Sequence, residues 1–488
     1  MKSTLSALLL SLMPCLVSAD WRTDIGWDEL QEWASLNSMT LPDTSGLAVG
    51  MSEAGTTAYA PDFNDIQLSD ESIIDVTGES IIPSSHATGV ASQFFGNSSS
   101  MTPSVASVNI YSADDFIDKI KNDNSGLWTE RVMSHAWIGS VGSSQGTEIL
   151  SARLDATTIN SDTLHIVGVN NGSAKTLPEL LNQSYNGISV GISSGNHSRG
   201  PVPDGYEGAG RQKPEVVNSL GSSSSATGAT ASVATLLRAQ ASSATSVAIK
   251  SVILAGADKL KFEDWDNSST RPIDDIYGAG EVNILNSFRI LSGGEQSAGS
   301  IGSYGWDYFS PGGRNRFPQA YTLTIPDNST SSSLCANLSW NRASSGGSYS
   351  TLANLSLTLT DSSDVVVFSS DSSVDNIEHI WQTNLSPGTY TITVARNGSV
   401  NADYALAWRV DTETNSSPSS FNHGATSNDL VFANLAPLHK YILQRSSKLS
   451  AWVDISTTES LADGSLSVSD PNSELGEKVF YRLSYYTP

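Results

Sequence analysis

The rhythm of apolar and polar positions changes near residue 300. Before it, short apolar runs such as Leu47-Ala-Val49, Leu164-His-Ile-Val-Gly-Val169 and Ile188-Ser-Val-Gly-Ile192 alternate with helical stretches around Ser85–Phe95, Thr147–Ile159 and Thr230–Ser243. Runs without a polar face read as strands buried on both sides, and their alternation with helices predicts a mostly parallel sheet covered on both faces. Trp27-Asp-Glu-Leu-Gln-Glu-Trp33 reads as a short amphipathic helix that covers part of this core, and the Gly-rich stretch Leu291–Gly302 as the exit from the domain. Beyond it the helical signal vanishes. Leu355-Ser-Leu-Thr-Leu359, Val365-Val-Val-Phe368 and Tyr390-Thr-Ile-Thr-Val394 are strands, with a turn at Ser386-Pro-Gly388. The predicted fold class is therefore α/β over residues 20–295, then a β-sandwich over 303–410. A polar break at Thr412–Ser420 precedes a small all-β module over 421–488, with strands at Tyr441–Gln444 and Val479–Leu483.

The first residues add an address. Lys2, the apolar Leu8–Met13 and the small residues Val17-Ser-Ala19 form a secretory signal over 1–19, predicting cleavage before Asp20 and a secreted location, extracellular or periplasmic. No later run is apolar for the roughly 20 residues that a membrane helix needs. Of the two cysteines, Cys15 leaves with the signal, so Cys335 has no partner in the chain and the fold must stand on packing. The formal charge of −24 argues against nucleic acid or anionic lipid as partner. Asp361, Asp364, Asp371 and Asp375 could form a structural calcium site, but scattered loop aspartates are more often plain solvated turns.

Chemistry concentrates in two places. Gly221-Ser-Ser-Ser-Ser-Ala-Thr-Gly228 passes from a flexible run into a helix of small residues, and a serine there sits in the positive field of unpaired N–H groups. Such a serine is either a nucleophile or a plain N-cap. His86, in Ser84-Ser-His-Ala-Thr-Gly-Val-Ala91, likewise opens a helix. His165 reads as a satisfied core residue, His135 as a packing residue and His197 as surface; none of the three has metal-ligand spacing to a second His or Cys.

These segments resemble the subtilisin-like serine proteases over roughly residues 45–290. His86-Ala-Thr-Gly-Val-Ala91 is similar to the family's His-Gly-Thr-His-Val-Ala, with Gly89 in place of its second histidine. Ser222-Ser-Ser-Ser-Ala-Thr-Gly228 is similar to Gly-Thr-Ser-Met-Ala-Thr-Pro, with Gly228 in place of the proline. Matching Ala226-Thr227 puts the nucleophile on Ser224. Gly168-Val-Asn-Asn-Gly172 resembles the oxyanion motif and points to Asn170, while Lys213-Pro-Glu-Val-Val217 and Tyr277-Gly-Ala-Gly-Glu-Val-Asn283 resemble two further family motifs, all in family order. The acid departs from the pattern. Glu53 stands at the end of the first core strand, where the family has aspartate. Asp75 looks closer to the motif, but 86 − 75 = 11 residues leave no room for strand, loop and helix, whereas 86 − 53 = 33 do.

The resemblance implies a secreted endopeptidase with a Glu53–His86–Ser224 triad working through an acyl-enzyme. It needs no cofactor for the chemistry. Ala136-Trp-Ile-Gly139 matches the edge strand that pairs with the substrate backbone. Ala136, Trp137 and Gly139 are thus expected at the substrate, with Trp137 shaping an apolar pocket or serving as ordinary core. The partners expected are a protein or peptide substrate, and cell surface or glycan for the β modules. Two other readings stay open: a catalytically inactive binding or adhesion protein on the same scaffold, and a surface protein in which the Ser/Gly run is merely low complexity.

Overall fold

The computed structural model describes residues 20–69, 71–75, 82–122, 127–312, 316–414, 418–423, 428–432, 435, 440–446, 453–461, 465–470 and 480–485. The signal segment expected over 1–19 lies outside them, as does Val479.

Helices α1 (Trp21–Asp24) and α2 (Trp27–Leu36) lead into strand β1 (Ala48–Glu53), β2 (Ile73–Asp75), α3 (Ser85–Phe95), β3 (Ser107–Ser112), α4 (Ala113–Asn122) and β4 (Val132–His135). There follow α5 (Ser144–Ser161), β5 (Leu164–Gly168), β6 (Ile188–Ile192), β7 (Gly200–Pro201), β8 (Gln212–Lys213), β9 (Val216–Asn218), α6 (Ser223–Gln240), α7 (Ser246–Gly256) and α8 (Ile284–Ser292). The predicted α/β class holds. Seven strands form one sheet in the order β2-β3-β1-β4-β5-β6-β9, and every pairing in it is parallel. The short helix read at Trp27–Trp33 is α2, which buries Leu30, Trp33 and Ala34. The helix placed at Thr230–Ser243 begins seven residues earlier, because Ser222 caps it by accepting from the Ser225 N–H.

Helices α3 and α6 lie against each other, and the small residues of α6 decide how closely. A Cβ on Gly228 would stand 2.6 Å from the Val90 carbonyl oxygen, so only glycine lets the two backbones approach this far. His86 is the second residue of α3 and Ser224 the second of α6. Each stands four residues before the contact (90 − 86 = 4 and 228 − 224 = 4), about one helical turn. One turn further on, Thr102 Oγ1 donates to the Phe94 carbonyl at 2.7 Å and lies 3.2 Å from Ser232 Oγ, so the two helices run the same way and start on the same side of the crossing.

The β-sandwich has a five-stranded sheet and a four-stranded one, the latter in the order Tyr304–Phe309, Tyr404–Thr414, Ser329–Trp340, Ile377–Gln382. Strand Tyr404–Thr414 runs into the polar break expected at Thr412, so that break is narrower than the sequence suggests. This sheet covers α7, every residue of which is buried, and Trp306, Ile377, Ala405 and Ala407 belong to the same apolar cluster as the α/β core. Polar pairs close the junction. Ser251 Oγ donates to the Asn337 carbonyl at 2.6 Å, Arg409 Nε to the Ala255 carbonyl at 3.1 Å, and Asn186 and Arg342 exchange two hydrogen bonds. The last module has two three-stranded sheets around Phe432, Tyr441, Leu443 and Leu466.

Gly228→Ala should destabilise the protein by about 1–3 kcal/mol, since the added methyl meets backbone and cannot be accommodated by a rotamer change. Thermal denaturation checks this: an unchanged Tm would mean that α3 and α6 are free to move apart.

Candidate active site

Strand order reverses at β1: the chain first adds β2 and β3 on one side of it, then β4 and its successors on the other. In open parallel sheets the crevice beyond the carboxyl ends of the strands at such a switch point is where ligands bind. Here that crevice lies between the end of β1 (Glu53) and the end of β4 (His135, followed by Ala136).

Glu53 is 1% exposed, and its Oε2 stands 2.9 Å from His86 Nδ1. The two groups face each other at ion-pair distance, and among the described residues no other donor reaches the carboxylate. Burial pushes the Glu53 carboxyl up to about 7 against the opposing pull of His86. The Glu53 carboxylate in turn raises the His86 imidazole above its usual value, outweighing the lowering by partial burial. His86 is half exposed, and with Nδ1 turned to Glu53 its Nε2 is the nitrogen left for another partner.

Ser224, half-buried in the first turn of α6, lies at the end where backbone N–H groups are unpaired. Its Oγ donates to the Ala136 carbonyl at 3.4 Å, which joins α6 to the segment after β4; it forms no hydrogen bond with His86. Asparagine reaches the same helix end, but from the neighbouring position. Asn171 Oδ1 accepts from the Ser223 N–H at 2.9 Å and from Ser223 Oγ at 3.2 Å, so its amide lies against the start of α6. Asn170, the residue expected there, is exposed and pairs with Ser198 through its backbone: its N–H donates to Ser198 Oγ at 2.9 Å and its carbonyl accepts from the Ser198 N–H at 2.8 Å. In sequence the motif points to Asn170; in the structure it is the amide of its neighbour, Asn171, that bonds the start of α6.

Of the three residues expected at the substrate, Ala136 meets Ser224 and Gly139 accepts from the Leu180 N–H at 3.1 Å. Gly139 is also confined, since a Cβ there would lie 3.0 Å from Leu180 Cδ1. Trp137 is not at the opening. It is buried among Tyr111, Phe116 and Leu150 and donates its indole N–H to Ser52 Oγ at 2.8 Å, so the core alternative holds. Ile138 and Val141 are the exposed apolar residues of this segment.

Other expectations resolve as follows. Asp75 ends β2, the edge strand two places from β1, so it lies away from the switch point. His197 is buried rather than superficial: Nδ1 accepts from the Ile192 N–H at 3.1 Å, and Nε2 lies 2.9 Å from the Ile276 carbonyl. Asp361 binds the N–H groups of Ser363 and Val365, Asp371 accepts from Asn397 Nδ2 and Asp375 from Ser372 Oγ, so these aspartates serve separate turns. Among the described residues no three His, Cys, Asp or Glu gather as a metal site, and no helix is long and apolar enough to cross a membrane.

No protein family matches the chain, and no curated protein does. Among solved structures it is similar to the serine protease of Aeromonas sobria, at 12% identity over 75% of this chain and 88% of that one, with a TM-score of 0.37. It is also similar to a cold-adapted subtilisin-like serine proteinase, at 14% identity over 50% and 89% of the two chains, with a TM-score of 0.34. A third is the A-subunit of the AB5 toxin from E. coli, at 15% identity over 55% and 98%, with a TM-score of 0.36. Identities of 12% to 15% carry no residue roles across, and those come from this chain's own geometry.

The Glu53 shift has a sign that can be measured. Between the usual carboxyl range near 4.5 and about 7, folded protein holds a proton at Glu53 that unfolded chain has lost, so this group's contribution to stability falls as pH rises through that window. Glu53→Gln removes the buried charge. It should raise Tm at pH 8, by an amount corresponding to roughly 2–3 kcal/mol, and change it little at pH 4. Equal Tm values for the two proteins at pH 8 would show that Glu53 is not ionised in a desolvated site.

Proposed function

We propose that the protein is a secreted serine endopeptidase of the subtilisin-like type, in which Ser224, His86 and Glu53 act in sequence. The observation that carries this reading is the buried Glu53 carboxylate 2.9 Å from His86 Nδ1, at a helix start that the α3–α6 contact sets beside Ser224. A buried carboxylate whose one close partner is an imidazole has little use as a stabiliser, because desolvation offsets most of the attraction. It has a direct use in holding one tautomer and in stabilising the imidazolium that forms when His86 takes a proton.

In this mechanism Ser224 Oγ leaves the Ala136 carbonyl and hands its proton to His86 Nε2 as it attacks the scissile carbonyl. The tetrahedral oxyanion meets the Ser224 N–H, an unpaired donor of the first turn of α6, together with an asparagine amide. His86 then protonates the leaving amine, and water repeats the sequence on the acyl-enzyme. Because His86 must be neutral while Glu53 is ionised, activity falls as pH drops through about 7. Residues 1–19 serve as the export signal. The sandwich works as part of the catalytic body, since it seals α7, and the module over 421–488 is left for attachment to substrate, surface or glycan.

A second reading, a non-catalytic binding protein on this scaffold, is favoured by one observation: Ser224 Oγ is engaged by Ala136 instead of His86. Fluorophosphonate labelling of the mature protein, read by intact mass and peptide mapping, separates the two. A single adduct on Ser224, absent from Ser224→Ala, is the expected result; a folded protein that takes no adduct is the binding protein. With a peptide substrate, loss of Ser224 or His86 should lower turnover about 10⁶-fold and loss of Glu53 about 10⁴-fold.

The asparagines supply an independent check. Asn171→Ala should lower kcat about 10²–10³-fold while Asn170→Ala has a far smaller effect. The reverse order would return the oxyanion role to Asn170.

A further inference from the structure

On the sheet face opposite Glu53 lies a chain of buried polar groups that the proposed mechanism does not use. Ser52 and His135 are register partners on β1 and β4, and Ser52 Oγ stands 2.7 Å from His135 Nδ1. His135 Nε2 lies 2.9 Å from His165 Nδ1, and His165 Nε2 lies 2.6 Å from Thr157 Oγ1 on α5. Thr157 Oγ1 donates to the Leu154 carbonyl at 2.7 Å, and at the other end Trp137 Nε1 donates to Ser52 Oγ at 2.8 Å. Ser52, His135 and His165 are fully buried, and the two rings stack 5.1 Å apart with Phe116 beside them.

Elementary valence fixes every proton in this chain. A carbonyl only accepts, so the Thr157 hydroxyl hydrogen points at Leu154 and Thr157 Oγ1 accepts from His165 Nε2–H. A neutral His165 then has a bare Nδ1, which accepts from His135 Nε2–H; His135 in turn has a bare Nδ1, which accepts from the Ser52 hydroxyl. Ser52 Oγ is left to accept from Trp137, and an indole can only donate. A proton added to His165 would set its Nδ1–H against His135 Nε2–H, and one added to His135 would turn the Ser52 hydroxyl hydrogen out of the row. Burial also pushes His135 well below the usual histidine value, assisted by the charge of His165, and pushes His165 to about 3.

We propose that Trp137, Ser52, His135, His165 and Thr157 form a one-way hydrogen-bond relay that positions the end of β1 against the segment after β4. Through it Glu53 is held against His86, and Ala136 against Ser224. Ser52 is the peptide neighbour of Glu53, and Trp137 that of Ala136, so both halves of the proposed site are anchored to the same buried row. Its members touch no reacting atom and are positioning residues. Their role rests on the hydrolase reading above.

The full mature chain is compared with Ser52→Ala and Ser52→Thr, using nitrogen-15 NMR of the histidine rings and the rate of fluorophosphonate labelling. Both buried rings should be neutral with the proton on Nε2. Ser52→Ala should shift the low-field His86 Nδ1 proton and slow labelling about 10- to 100-fold, while Ser52→Thr, which keeps the hydroxyl, restores both. If Ser52→Ala does not fold, Thr157→Val removes the acceptor at the far end of the relay and should move the same two signals. A parent protein with the proton on His135 Nδ1, or a folded variant with an unshifted His86 proton, overturns the relay. A parent protein that is never labelled overturns the hydrolase reading instead, and the His86 resonance still decides the relay.

Discussion

Successive residues of a strand face opposite sides of a sheet, and at the end of β1 that rule separates two kinds of polar burial. Glu53 points to the face covered by α3 and α6 and meets a single imidazole. Ser52, one residue earlier, points to the face covered by α4 and α5 and joins a row in which every donor has an acceptor. A shift of one residue in the β1 register would exchange the two, placing a carboxylate among aromatic rings and a hydroxyl opposite His86. The arrangement around the switch point therefore depends on that register, which the apolar Val49 and Met51 enforce by sharing the face of Glu53.

The two faces are also unequal in energy. The Ser52–His135–His165 row is neutral and internally matched, the form in which buried polar groups rigidify a core at little cost. Glu53 is a charge out of water, close to one partner that is itself half exposed, and its carboxyl is pushed up accordingly. Structural ion pairs elsewhere in the chain look different. Glu215 lies between Lys213 and Lys250, accepts from Ser189 as well, and is held at about 2, its cationic neighbours outweighing burial. The contrast distinguishes a carboxylate placed for stability from one left poised at the edge of a crevice.

The β-sandwich belongs to this economy of burial. Helix α7 is apolar nearly all round and is enclosed on one side by the parallel sheet's own layer and on the other by strands Tyr404–Thr414 and Ser329–Trp340. A helix of that kind has no solvent face, so the sandwich is continuous with the core, whatever further contacts it makes at its outer sheet.

Much of the architecture was legible in the chain. Fully apolar runs separated by amphipathic stretches determine a covered parallel sheet, the α3 boundaries follow from its cap and apolar spacing, and the 33 residues from Glu53 to His86 favour Glu53 over Asp75 as the carboxylate that meets the imidazole. These are local or one-dimensional properties, and a period or a count reads them. What the tertiary structure decided concerns residues whose surroundings the local pattern does not show. The Asn171 amide bonds the start of α6, Trp137 turns inward while Ile138 is exposed, and His197 is buried in a loop that looks polar. Gly228, an apparent defect in a motif, proves to be the contact that brings two helix starts together. Each of these outcomes depends on what lies across the sheet or on the next helix, at sequence distances that no local pattern encodes.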